Sequence, residues 1–261
     1  MNWLISLNGN SNVLYNLQRM SSPHFGVFYD SDDHQAEQFF LSSSHFKGNT
    51  SREQVYSAVS GLIQLINGAS AILWGFNDYI SRGGIRLDRL YSTTEEQPRD
   101  SDWSPIHMSE EVPPSNPFIG DAYKSKLINP YRNITTAYIE LCLEHEDVFI
   151  LLRQISVGFD WRNLYCIWDT ICHYCRGSKN AISDLKLDAK RIKAFTGTAN
   201  NFGVLGLEAR HGVMGWEIPK NTVEKGEAID IINDVVNKYL NNKFCLDCEK
   251  KEWEEQFNKP A

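Results

Sequence analysis

Cysteine is scarce in this chain, with six in 261 residues, too few for a disulfide scaffold at this length. Cys142, Cys166, Cys172, Cys175, Cys245 and Cys248 are expected to be reduced thiols. Long apolar runs are also missing. The longest apolar region, residues 55–74, is broken by Gln64, Asn67 and two glycines, short of the roughly 18 uninterrupted apolar residues that mark a membrane span. Residues 1–17 carry no basic opening segment and no unbroken apolar stretch. These absences predict a cytoplasmic protein with no membrane partner. Positive charge is in deficit, with 26 Lys and Arg against 33 Asp and Glu, a formal net charge of −7. That argues against coating nucleic acid through overall charge, while leaving a local basic patch open. No phosphate-cradling glycine loop, HExxH, GxSxG or kinase set occurs, and no cofactor is expected.

The 42% hydrophobic and 23% charged composition is that of a folded chain. Residues 3–7 read as a strand that ends in the turn Asn8-Gly9-Asn10. The aromatic segments 25–29 and 38–41 flank an acidic turn and read as a hairpin. Thr50-Ser51-Arg52-Glu53 has the pattern of a capping box. Val55, Ala58, Val59, Leu62, Ile63 and Ile66 then follow at helical spacing, with Asn67-Gly68 as the expected stop. Residues 79–81 and 85–91 around Arg82-Gly83-Gly84 read as a second hairpin. Residues 92–117 hold five of the nine prolines and read as a linker. Beyond it the pattern is helical: 133–145, 146–157, a helix capped by Asp160, 179–195, and a last helix capped by Asn221. The expected fold is α+β: an N-terminal mixed α/β domain (1–91), the linker (92–117), a C-terminal all-α helical bundle (118–243) and a charged tail (244–261).

Two arrangements carry candidate chemistry. Arg210 and His211 precede Gly212 in a Gly-, Ala- and Asn-rich stretch, 195–216. An arginine can neutralise a phosphate and a histidine can move a proton near neutral pH. The plainer alternative is an arginine paired with a nearby carboxylate. Asp169, among Trp161, Tyr165 and Trp168, could orient the histidine. Lys179, Lys186, Lys190 and Lys193, with Arg191 alongside, form a basic stripe on the expected 179–195 helix, either a solvated face or a track for a phosphate backbone. Cys172-His-Tyr-Cys175 and Cys245-Leu-Asp-Cys248 could together supply four thiolates to zinc. Their separation is long for a compact zinc module, and cysteines at the end of a patterned helix commonly serve as small apolar residues.

WRNLYCIWDTI (161–171), FTGTANNFGVLGLEARHG (195–212), a following proline and a final amphipathic helix resemble uncharacterised bacterial proteins whose helical part is similar to the HEPN superfamily. The resemblance covers residues 133–242. It implies a compact helical bundle of the kind found in toxin–antitoxin and anti-phage systems, often a dimeric, metal-independent ribonuclease. The HEPN ribonuclease motif sets an arginine four to six residues before a histidine. Here Arg210 directly precedes His211, and positions 205–207 are Leu, Gly and Leu. The resemblance therefore implies an RNA-binding or partner-binding protein, with cleavage through Arg210 and His211 as its catalytic form. A homodimer or a protein partner, with possible RNA, completes the expectation. A non-catalytic complex subunit and a zinc-stabilised structural protein are the alternatives.

Overall fold

The structure, a computed structural model, describes residues 2–20, 22, 24–30, 38–46, 51–95, 102–107, 112–118, 134–213, 217–244 and 246. It mixes α and β, with a five-stranded antiparallel sheet near the N-terminus and helices through most of the rest. The chain divides into two compact units, Met1–Asn67 with Arg82–Glu144, and Gly68–Ser81 with His145–Ala261. The expected linker, 92–117, falls inside the first unit, as does residue 118 onward to Glu144.

In the first unit the sheet order is β2-β3-β1-β4-β5, with β1 Asn2–Asn8, β2 Gly26–Asp30, β3 Gln38–Ser42, β4 Arg86–Thr93 and β5 Ser104–Ile106. Register explains its core. Val27 lies opposite Leu41, Leu41 opposite Ile5 and Ile5 opposite Leu90. Alternation puts this row on one face, and each of the four side chains is buried. Helix α1 (Ser11–Arg19) packs against β2, with Tyr15 edge-on to Tyr29 and Phe39. The 25–41 hairpin is present. The second expected hairpin is not: residues 79–81 belong to helix α3 (Phe76–Arg82), and only 86–93 form a strand, which pairs with β1. Local alternation could not show that β4's neighbour is β1, with Asn8 opposite Arg86 and Asn2 opposite Thr93.

Helix α2 (Arg52–Trp74) keeps the expected stripe, with Val55, Ala58, Val59, Leu62, Ile63 and Ile66 all buried. Its capping box lies one residue later than expected: Ser51 Oγ accepts from Gln54 N (3.2 Å) and Gln54 Oε1 accepts from Ser51 N (3.3 Å). Nor does it stop at Asn67-Gly68. Asn67 exchanges two 2.9 Å hydrogen bonds with the backbone of Ile85, and the helix continues to Trp74. A Cβ at Gly61 would lie 1.9 Å from Ser115 O, and one at Gly68 would lie 2.2 Å from Leu152 O. Both glycines serve close backbone approach, which outweighs their cost of about 1 kcal/mol in a helix. Among the described residues α2 is the one helix long and apolar enough to cross a membrane, and 72% of its apolar window is buried inside the structure.

The second unit is helical among the described residues. Helices α5 (Glu146–Val157) and α6 (Trp161–Tyr174) follow α4 (Ile134–Glu144), which belongs to the first unit, at the expected positions. Asp160 caps α6 by accepting from Asn163 N at 2.9 Å. The expected 179–195 helix is two: α7 (Ser178–Asp184) and α8 (Ala189–Asn200). Lys186 turns the chain with φ +50°, and Asp188 caps α8 by accepting from Lys190 N and Arg191 N. A short helix α9 (Phe202–Leu205) precedes α10, which runs over Lys225–Phe244, four residues beyond the expected cap at Asn221. Helix α6 packs against α5, α7, α8 and α10 and buries Trp161, Leu164, Ile167, Trp168 and Ile171.

Candidate nucleic-acid interface

Helical spacing places Arg162, Tyr165 and Asp169 in one row on α6, at i, i+3 and i+7. That row holds the 207–210 loop. Arg162 donates from Nε to Ala209 O (3.2 Å) and from Nη2 to Leu207 O (2.8 Å). The Arg210 guanidinium lies 4.1 Å from the centre of the Tyr165 ring, and its Nη2 donates to Asp169 Oδ2 at 3.0 Å. Arg210 N donates to Ala199 O at 2.8 Å, joining the loop to the end of α8. Asp169, expected to orient His211, thus holds Arg210. A phosphate at Arg210 would compete with that carboxylate. The arrangement is built to fix the loop. Both side chains of the pair are partly exposed, so its charge contributes at most about 1 kcal/mol.

The basic stripe is redistributed by the break between α7 and α8. Lys186 sits exposed in the left-handed turn, and Arg191 faces Glu227 at 3.8 Å. Lys190 and Lys193 instead line a groove of about 700 Å³ together with Lys220, Asn200 and Asn201. Its acidic lining residue is Glu217. Buried polar side chains hold its walls together. Asn201, 2% exposed, donates from Nδ2 to Glu217 O (3.0 Å) and accepts from Val204 N (3.1 Å). Thr198 Oγ1 accepts from Val223 N at 3.1 Å, and Gly197 brings α8 against Pro219. The groove is preformed, so a ligand need not order it. Lys220 escaped the sequence reading because it belongs to no periodic element and lies 27 residues from Lys193.

The described cysteines offer little nucleophilic chemistry. Cys166, Cys172 and Cys175 are free thiols, and Cys142 is buried in α4. Burial, with the charges of Asp169 and Cys175, pushes the Cys172 thiol up to about 12, and burial likewise raises Cys175. Thiols held protonated are poor nucleophiles. Cys245 and Cys248, the other half of the considered zinc site, lie outside the described residues. Among the described residues no cluster of three or more His, Cys, Asp or Glu is placed to hold a metal.

Two further ionisable clusters had no signal in the sequence. In the first unit, His24 Nδ1 and His45 Nε2 are 3.0 Å apart, one donating to the other, with Glu140 3.8 Å from the far side of His24 and the Phe118 ring edge-on to both. In the second, Asp147 at the start of α5 accepts from Tyr239 Oη and, at 2.6 Å, from Lys243 Nζ, both on α10. No family model, no curated protein and no solved structure matches this chain.

Proposed function

We propose that this chain is a bacterial defence-associated protein with a HEPN-like helical part, and that this part binds RNA in the groove between α8 and residues 217–221. The carrying observation is the convergence of Lys190, Lys193 and Lys220 on one preformed groove in a chain of net charge −7. Lysines at a groove gain affinity for a phosphate backbone by releasing its counterions. Among the described residues no aromatic ring lines the groove, which favours phosphate contact over base stacking. The Arg210–Asp169 pair supports binding without cleavage. The test is fluorescence anisotropy of single-stranded RNA across a salt series, with wild type and Lys190→Glu/Lys193→Glu/Lys220→Glu. The triple variant is expected to bind more than about tenfold more weakly and with a salt slope shallower by about 2 to 3. Equal affinity in the two proteins would remove the groove from the reading, and RNA shortened by wild type without metal would restore catalysis to Arg210 and His211.

A second reading, a subunit that docks on a protein partner or a second copy, rests on Leu207, Val213 and Ile218. These are 83%, 80% and 66% exposed within a short span. Exposed large apolar side chains grouped in one segment favour protein contact. Light scattering of wild type against Leu207→Ser/Val213→Ser/Ile218→Ser decides it: a mass that halves supports a homodimer, and a monomeric wild type removes that form.

A further inference from the structure

The sheet of the first unit holds a polar cavity that the RNA reading does not use. Its origin is an irregularity in the β1–β4 pairing: Ser6 lies opposite Arg89 and Leu7 opposite Leu87, leaving Asp88 as the extra residue of a β-bulge. In a regular strand Asp88 and Arg89 would project to opposite faces. The bulge re-aims one of them, so both line the same cavity of about 290 Å³, along with Tyr91, Asn8 and Gln38. Ser6, 6% exposed, donates from Oγ to Asp88 Oδ2 at 3.1 Å and so fixes the carboxylate. Arg89 Nε lies 3.9 Å from the same oxygen. Ser11, at the start of α1, also lines the cavity, where the helix N-terminus adds partial positive charge.

A small open cavity therefore carries charges of both signs a few ångströms apart, Asp88 anchored by Ser6 and Arg89 on a largely exposed side chain, ringed by neutral hydrogen-bonding groups. A ligand that satisfies it needs an ammonium for Asp88 and a carboxylate for Arg89 and the helix end, on a frame short enough to reach both. We propose that this cavity is a binding site for a free α-amino acid. Asp88 would take the ammonium, held in place by Ser6. Arg89 would take the carboxylate in the paired geometry that guanidinium favours. The proposal concerns the first unit alone and stands or falls independently of RNA binding in the second.

The test is isothermal titration of the full chain with the twenty free amino acids, then with N-acetylated and methyl-esterified forms of the best binder. Binding is expected to weaken more than about tenfold when either charge of the ligand is capped. Asp88→Asn should remove the preference for the free amine and Arg89→Gln that for the free carboxylate, each with wild-type melting temperature. Arg89 is the more exposed of the two, so its variant keeps the test decisive if Asp88→Asn unfolds. No binding at millimolar amino acid, equal binding of capped forms, or tighter binding of an uncharged monosaccharide would each overturn the proposal.

Discussion

The two units bury ionisable groups in opposite ways. His45, in the first, is pushed down to about 4 by burial and by the neighbouring His24. It stays neutral, its Nε2 shared with His24 and its Nδ1 without a hydrogen-bond partner. Asp147, in the second, is as deeply buried, and burial alone would raise it. Hydrogen bonds from Lys243 and Tyr239 and the Lys243 charge reverse that and hold its carboxyl below the usual range. Burial penalises charge in both places. A fixed cation within hydrogen-bond reach decides which group keeps it.

The largest effect that would break this comparison is expected at Asp147. Asp147→Ala strands Tyr239 and Lys243 and is expected to destabilise the second unit by about 3 kcal/mol, read as a shift of the urea midpoint. Because the folded-state pKa is depressed, the stabilisation is present above the unfolded value of about 3.9 and disappears as pH falls through the folded value. A wild-type midpoint that is unchanged on acidification below pH ~3, or an Asp147→Ala protein as stable as wild type, would break it.

A smaller effect is expected at His45. An unfolded histidine binds a proton near pH ~6.5, whereas His45 in the fold does so only near about 4. Stability is therefore complete above the upper value and is lost as pH falls from it towards the lower. Nearby solvent and His24 moderate the loss, expected at about 1–2 kcal/mol. His45→Leu should flatten the dependence across that window, and a variant as pH-sensitive as wild type would move the effect to another group. The smallest change is expected at the exposed pair. Arg210→Ala removes one ion pair and one cation–ring contact, for about 1 kcal/mol of thermal stability. A loss several times larger would show that the 207–210 loop supports more of the second unit than its contacts suggest.

The helices were legible where a periodic apolar stripe and a cap coincided. Asp160 and the 161–171 stripe placed α6, and the 55–66 stripe placed the body of α2. Boundaries failed where a side chain had a distant partner. Asn67 reads as a helix stop, yet its amide is occupied by Ile85. Lys179 to Lys193 reads as one stripe, yet Asp188 starts a new helix in its middle. The candidate residues Arg210 and Asp169 were legible as types, while their pairing was not, since 41 residues separate them.

By itself the sequence determined the 3–7 strand, the 25–41 hairpin, the bodies of α2, α5, α6 and α10 and the thin supply of positive charge, because periodicity, caps and composition are local properties. Tertiary structure alone decided that Lys220 joins Lys190 and Lys193, that Asp88 shares a cavity with Arg89, and that His45 is neutral while Asp147 is charged. Each of these depends on which distant groups share a low-dielectric or enclosed space, and that proximity is set by register and packing.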